Sequence, residues 1–211
     1  MRKIRIALTK GRLEKKSVEL FLKMGLDCDS LINKGRKLIL PVGSYEAVLA
    51  KAADVITYVE HGVCDIGIVG KDTIAEYGGS FYEVMDLQIG KCNFALAGPA
   101  GKDFYSGYNV KRIATKYPNV ANKFFQGKGM DVQIIKIEGS VELAPLLDLA
   151  DAIVDIVETG DTLRENGLEV IETILPISAR VIVNIASMKL YKNKIQEFLS
   201  NLEEAIKEKA L

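Results

Sequence analysis

Ala152–Leu163, AIVDIVETGDTL, opens as an apolar run from Ile153 to Val157 broken only by Asp155, then turns at Thr159-Gly160 into a segment of helical character, Asp161 to Gly167. A buried strand that delivers a glycine-containing turn to a helix N-terminus is a ready site for an anion. Backbone N–H groups point out of the first helical turn, and Thr159 and Thr162 add hydroxyl donors. Asp155, near the strand's end, is placed to accept hydrogen bonds from sugar hydroxyls. The stretch reads either as a phosphosugar pocket or as a strand end capped by a threonine-initiated helix.

Outward from this stretch the alternation of strand and helix continues in both directions. Upstream lie a strand at Arg112–Thr115, a helix at Pro118–Gly127 with Phe124 and Phe125 on its apolar face, a strand at Val132–Ile137 and a helix at Val141–Leu149. Downstream come Glu169–Leu175 and Arg180–Ile185, then one long amphipathic helix, Met188–Lys209. Its residues Leu190, Ile195, Phe198, Leu199, Leu202 and Ile206 follow helical spacing, and the charges Glu203, Glu204, Lys207, Glu208 and Lys209 form a solvated face.

The N-terminal half repeats the pattern. A strand at Ile4–Leu8 runs through Thr9-Lys10-Gly11-Arg12 into a helix, Leu13–Met24, ended by Gly25. Strands follow at Lys37–Val42 and Tyr45–Ala50, then a helix N-capped by Asp54 and running to His61. Cys64–Val69 is a strand and Gly70-Lys71-Asp72 starts a helix, with further strands at Glu83–Ile89 and Cys92–Ala97. Gly98–Gly107 turns to Gly, Pro, Ser and Tyr and marks the connection into a second lobe. The whole predicts an α/β fold with mostly parallel sheets in two lobes, residues 1–95 with 180–211 and residues 96–179. A ligand cleft is expected between the lobes, at the C-terminal ends of strands. No internal repeat, low-complexity segment or disordered tail is expected.

Composition bounds the function. With 28 Lys and Arg against 28 Asp and Glu, nothing global draws this chain of 211 residues to nucleic acid or anionic lipid, so cations must act locally. Cys28, Cys64 and Cys92 lack C-x-x-C spacing, which argues against zinc and a disulfide framework and for a reducing, cytoplasmic setting. The apolar stretch Ile4–Leu8 is too short for a signal segment, and no run approaches membrane-spanning length. His61, the single histidine, stands at a predicted helix end, where a capping role explains it as well as general base catalysis. Lys10 and Arg12 read as a solvated basic turn or as part of a site.

The spacing D-x-x-x-T-G-x-T from Asp155 to Thr162 resembles the loop with which phosphoribosyltransferases hold 5-phosphoribosyl 1-diphosphate. The common fold of those enzymes has a second acid one residue before; here that residue is Val154, which points to another family. EGSVELAPLL (Glu138–Leu147) with DIVETGDTL resembles the ATP phosphoribosyltransferase family. So do ALTKGRL (Ala7–Leu13), DVITYVEHGVCDIGIVGKD (Asp54–Asp72), GKCNFALAG (Gly90–Gly98) and ISARVIVNIAS (Ile177–Ser187). The blocks span nearly the whole chain in the family's order, and the resemblance is to its short form.

The resemblance implies two lobes like a type II periplasmic binding protein, with the active site in the interlobe cleft. It implies the first step of histidine biosynthesis, in which N1 of ATP adenine displaces pyrophosphate from 5-phosphoribosyl 1-diphosphate, with Mg2+ carried by the pyrophosphate. Asp155, Glu158, Thr159, Gly160, Asp161 and Thr162 match the phosphoribosyl loop. Lys10, Gly11 and Arg12 match a basic turn lining the active site, while Arg36 and Lys51 fall where the family has cations near ATP and the leaving group. The implied catalytic set is Asp155, Lys51 and Arg36, with no metal ligands from the chain. Lys51 often appears as Arg in the family, which exchanges a bidentate fork for a point charge. Other departures are Thr9 and Ile56 for Pro, Asp148 for Gly and Ile185 for Arg; without Gly at 148, a strained backbone is not expected there. The long form adds a regulatory domain after the point where this sequence ends at Leu211, so the resemblance implies a hetero-oligomer with a regulatory subunit similar to histidyl-tRNA synthetase. The alternative is a two-lobed, non-catalytic binding protein for an anionic solute.

Overall fold

The computed structural model describes residues 2–207, folded as two compact units. One comprises the chain up to Gly90 and from Ser178 onward, the other Lys91–Ile177. Glu208 and Lys209, assigned from sequence to the last helix, lie outside the described residues. In the first unit the chain runs β1 (Arg5–Thr9), α1 (Arg12–Lys23), α2 (Asp29–Ile32), β2 (Ile39–Val42), β3 (Tyr45–Ala50), α3 (Ala52–Glu60), β4 (Ile66–Gly70), α4 (Lys71–Tyr77) and β5 (Tyr82–Asp86). The second unit holds β6 (Cys92–Pro99), β7 (Lys111–Thr115), α5 (Pro118–Gly127), β8 (Val132–Lys136), α6 (Leu143–Leu146), β9 (Ala152–Val157), α7 (Asp161–Glu165) and β10 (Leu168–Ile177). The chain then returns to the first unit as β11 (Ala179–Val183), α8 (Ile185–Leu190) and α9 (Lys192–Lys207). Cys92–Pro99 is one unbroken strand, so the crossings fall at 90/91 and 177/178, beside the expected 95/96 and 179/180. Gly98–Gly107, expected to connect the lobes, lies inside the second unit: Gly98 and Pro99 end β6, and residues 100–110 lead from it to β7.

The class is α/β, but both sheets are mixed where mostly parallel pairing was expected. The first has order β2-β3-β1-β4-β11-β5, the second β10-β6-β9-β7-β8. Parallel pairing is confined to β1 with β3 and β4, and to β7 with β8 and β9. The rest is antiparallel for a topological reason. β2 and β3 form a tight hairpin, and the strands that carry the chain out of and back into each unit run counter to their neighbours.

Three local readings are corrected. The last helix is two helices, because the side chain of Asn184 accepts from the Ser187 N–H and starts a separate α8 that stops at Tyr191. Leu190 is consequently 74% exposed, whereas Ile195, Phe198 and Leu202 of α9 are buried in the core with Phe21 of α1 and Tyr45 of β3. The expected helix over residues 141–149 shrinks to Leu143–Leu146, because Asp148 takes a left-handed backbone, φ 53°. Asp, unlike β-branched residues, tolerates that region, so the strain glycine would relieve is present after all. Finally, β3 runs straight to Ala50, which leaves Lys51 as the N-cap of α3 and puts Asp54 in its first turn, where its charge favours the helix dipole.

Candidate active site

In the first unit the parallel strands β1, β3 and β4 end on the same side, delivering Lys10, Lys51 and Lys71. The Lys10 N–H donates to the Ala50 carbonyl at 2.9 Å, which fixes the Lys10 turn beside Lys51. Gly11 has φ 98°, a conformation that only glycine adopts without strain, and Arg12 opens α1 immediately after it. The Gly11 N–H donates to Oε2 of the buried Glu14 at 3.3 Å, and Glu14 also pairs with Lys34. Between α2 and β2 an irregular loop carries Lys34, Gly35, Arg36 and Lys37. Lys10, Gly11, Glu14, Lys15, Lys34–Leu38 and Leu49 line one depression of about 290 Å³. The structure thus gathers Lys10, Gly11 and Arg36, from segments 25 residues apart, on one basic surface. Lys51 stands beside it at a neighbouring strand end; it and Arg12 are not among its lining residues. Lys15, Lys34 and Lys37 were not singled out from sequence, although NKGRK (Asn33–Lys37) was visible as a local cluster.

In the second unit the parallel set β8, β7 and β9 likewise ends on one side. Asp155, on β9, is hydrogen-bonded by the Ile156 N–H, and burial pushes its carboxyl from 3.8 up to about 6. Glu142 adds to that rise, and Lys116, which follows β7, opposes it. Strand register aligns Thr115 with Val154, so Lys116 continues opposite Asp155. Neither Lys116 nor Glu142 could be placed there by spacing, because only the sheet register brings them to β9. A carboxylate held near neutrality at a strand end is a mark of functional sites.

The turn after β9 closes this end. Gly160 takes φ 77° and precedes α7. Val157, Glu158, Thr159 and Gly160 line a depression of about 330 Å³ with Asn93, Ala95, Arg164 and Thr173. The Thr159 hydroxyl donates to Asp161 Oδ2 at 2.5 Å, and Asp161 pairs with Arg164. The Thr159 hydroxyl and then the Arg164 charge hold the Asp161 carboxyl below the usual carboxylate range. Thr162 is exposed, with its carbonyl accepting from Asn166 Nδ2 at 2.8 Å. The five turn residues named from sequence therefore stand together, with Asp155 on the strand that leads into them. Val154, by contrast, is fully buried, and its carbonyl accepts from the Thr115 hydroxyl at 2.6 Å.

His61 follows α3, its Nδ1 lying 3.0 Å from the Thr57 carbonyl. Among the described residues no group of three or more His, Cys, Asp or Glu is arranged to hold a metal ion. Nor is any described helix long and apolar enough to cross a membrane.

Comparison with known proteins adds the following. A family model described as ATP phosphoribosyltransferase matches residues 51–204. The chain is 61% identical over 209 residues to the ATP phosphoribosyltransferase of Clostridium kluyveri, covering 98% of this chain and 95% of the relative. It is 59% identical over 210 residues to that of Clostridium novyi, covering 98% and 99%. Among solved structures it is similar to a chain of the ATP phosphoribosyl transferase (HisG:HisZ) complex from Thermotoga maritima, with a TM-score of 0.84, 37% identity, and 97% and 99% of the two chains covered. It also shares its fold with the periplasmic aliphatic sulphonate binding protein SsuA from Escherichia coli, with a TM-score of 0.58, 12% identity, and 96% and 72% covered.

Proposed function

The chain belongs to the ATP phosphoribosyltransferase family, and we propose how its own residues carry the reaction that opens histidine biosynthesis. N1 of the ATP adenine forms a bond to the anomeric carbon of 5-phosphoribosyl 1-diphosphate as the bond from that carbon to pyrophosphate oxygen breaks. The sugar gains positive charge and the leaving group negative charge, so the reaction needs a carboxylate by the ribose and cations by the phosphates.

The second unit supplies the first requirement. Asp155 accepts from the ribose hydroxyls, and Glu158, Thr159, Gly160, Asp161 and Thr162 wrap the 5-phosphate. The observation that carries this reading is the placement of a half-buried Asp155, titrating at about 6, on the strand that delivers the phosphate turn. The first unit supplies the second requirement: Lys10, Gly11, Arg12, Arg36 and Lys51 receive the phosphates of ATP and of the leaving pyrophosphate. Adenine is the nucleophile, so the protein needs none of its own.

The divalent cation is proposed to be magnesium and to enter bound to the diphosphate. Its chemistry there is to neutralise the departing charge. A regulatory subunit similar to histidyl-tRNA synthetase is proposed as partner, supported by the likeness to a chain from the Thermotoga maritima complex. The free cysteines Cys28, Cys64 and Cys92 suit a cytoplasmic location. The non-catalytic alternative is not favoured, because the likeness to the sulphonate-binding protein extends to fold alone.

The test mixes the protein, alone and with the candidate partner, with ATP, magnesium and 5-phosphoribosyl 1-diphosphate. Pyrophosphate and an adenine adduct of altered ultraviolet absorbance are expected. Tight binding of the substrates without product under both conditions would overturn the assignment.

A further inference from the structure

We propose that Glu14 is a positioning residue for the transfer, its buried carboxylate tying the Lys10–Arg12 turn to the Lys34–Arg36 loop. The inference rests on the assignment of Lys10 and Arg36 to phosphate binding. Glu14 is 5% exposed. One of its oxygens accepts from the Gly11 N–H at 3.3 Å, and the other pairs with Lys34, twenty residues along the chain. Both oxygens are thus engaged by the protein itself.

The geometry calls for such a tie. Residues 33–38 have no regular structure, and Gly35 adopts φ 56°, so the loop does not hold Arg36 in place by itself. The cations around the depression repel one another, and a buried carboxylate offsets that repulsion from behind. Helix capping accounts for half of the arrangement only. A glutamate three residues into a helix commonly reaches back to the N-cap N–H, but capping gives no reason for the bond to Lys34.

Lys34→Met removes the ion pair at a partly exposed side chain, and Glu14→Gln keeps an oxygen for Gly11 while removing the charge. The full chain, assayed with its regulatory partner, is expected to lose about 10- to 100-fold in kcat/KM in either variant, the scale for a misplacement of about 1 Å. Lys34→Met should also lower the melting temperature, because it leaves the buried Glu14 carboxylate without its counter-charge, whereas Lys34→Arg should not. Lys34→Arg should restore most of the activity, and the double variant should fall no further than the worse single. Wild-type kcat/KM in Glu14→Gln or in Lys34→Met, or multiplicative losses in the double variant, would overturn the positioning role. Should Glu14→Gln fail to fold, the Lys34→Met and Lys34→Arg pair decides: wild-type kcat/KM in Lys34→Met, or no recovery in Lys34→Arg, overturns the proposal. Lys10→Ala and Arg36→Ala separate the two layers. If they lose activity while Glu14→Gln does not, only the tie is wrong; if both remain fully active, the phosphate assignment fails and takes the tie with it.

Discussion

Replacing Asp155 by Asn should make the protein less active and more stable, and the two effects come from one cause. The carboxyl rises from 3.8 to about 6 chiefly through burial, and each unit is worth ~1.4 kcal/mol. Its folded pKa exceeds its unfolded one, so the folded state binds the extra proton between those values and stability increases as pH falls through about 6. Above that pH the ionised group destabilises the fold by roughly 3 kcal/mol, and below about 4 the penalty is gone. Asparagine keeps an oxygen for the Ile156 N–H and carries no charge. At pH 8 the variant should therefore melt roughly 5–10 °C above the parent, with the gap closing towards pH 4. On the activity side, an amide cannot match a carboxylate facing a sugar that becomes cationic, and kcat/KM should drop by about 10²–10³. The parent's kcat/KM should itself fall with pH through about 6. Thermal melts of both proteins from pH 4 to 8, with steady-state rates on the same samples, make the check. A gap that is negative or independent of pH would refute the desolvation argument, and normal activity would refute the ribose assignment.

Three further outcomes follow from the same structure. Thr162→Ala should cut kcat/KM by about 10- to 100-fold in steady-state assays while stability shifts by no more than about 0.5 kcal/mol in denaturant melts, as at other surface positions. Asp65→Ala should cost about 3–5 kcal/mol in those melts, because Asp65 is fully buried and accepts from Arg2 at 2.6 Å, the Arg5 N–H at 2.8 Å and the Ser187 hydroxyl at 2.7 Å; a loss under about 1 kcal/mol would refute it. Asp148→Val should destabilise by about 1–3 kcal/mol through its left-handed backbone, while Asp148→Gly should lie within about 1 kcal/mol of the parent, which calorimetry can resolve.

What the sequence could show, and what it could not, divides by the range of the interaction. The strand, turn and helix around AIVDIVETGDTL were legible because a short apolar run, a glycine and a threonine act over a few residues. The separation of α8 from α9 was not. The apolar stripe runs through both, and the break depends on one cap, the side chain of Asn184 accepting from Ser187. The sign of strand pairing was equally hidden, since a short, mostly apolar strand such as β11 reads alike whichever way its neighbour runs. At the site, Lys10, Arg36 and the 158–162 turn were named by resemblance, but Glu14 was not. Its significance lies in Lys34, a partner that only the folded chain brings within reach.

The lone carboxylate of β9 follows from where that strand lies in its sheet. β9 is flanked by β6 and β7, so neither edge offers water. Val154 points to one side with no exposure at all, and a carboxylate there would be buried without a partner, at a cost of several kcal/mol. Ile153, Asp155 and Val157 share the other side by strand alternation. Ile153 is fully buried, Asp155 partly, and Glu158 just beyond the strand is exposed, so polarity rises along the chain towards the turn. Asp155 occupies the first position on that side where a carboxylate meets solvent, and its backbone is still held by pairing with Ala95 of β6. The same placement that lifts its pKa therefore fixes its geometry, and a second acid one residue earlier would gain neither.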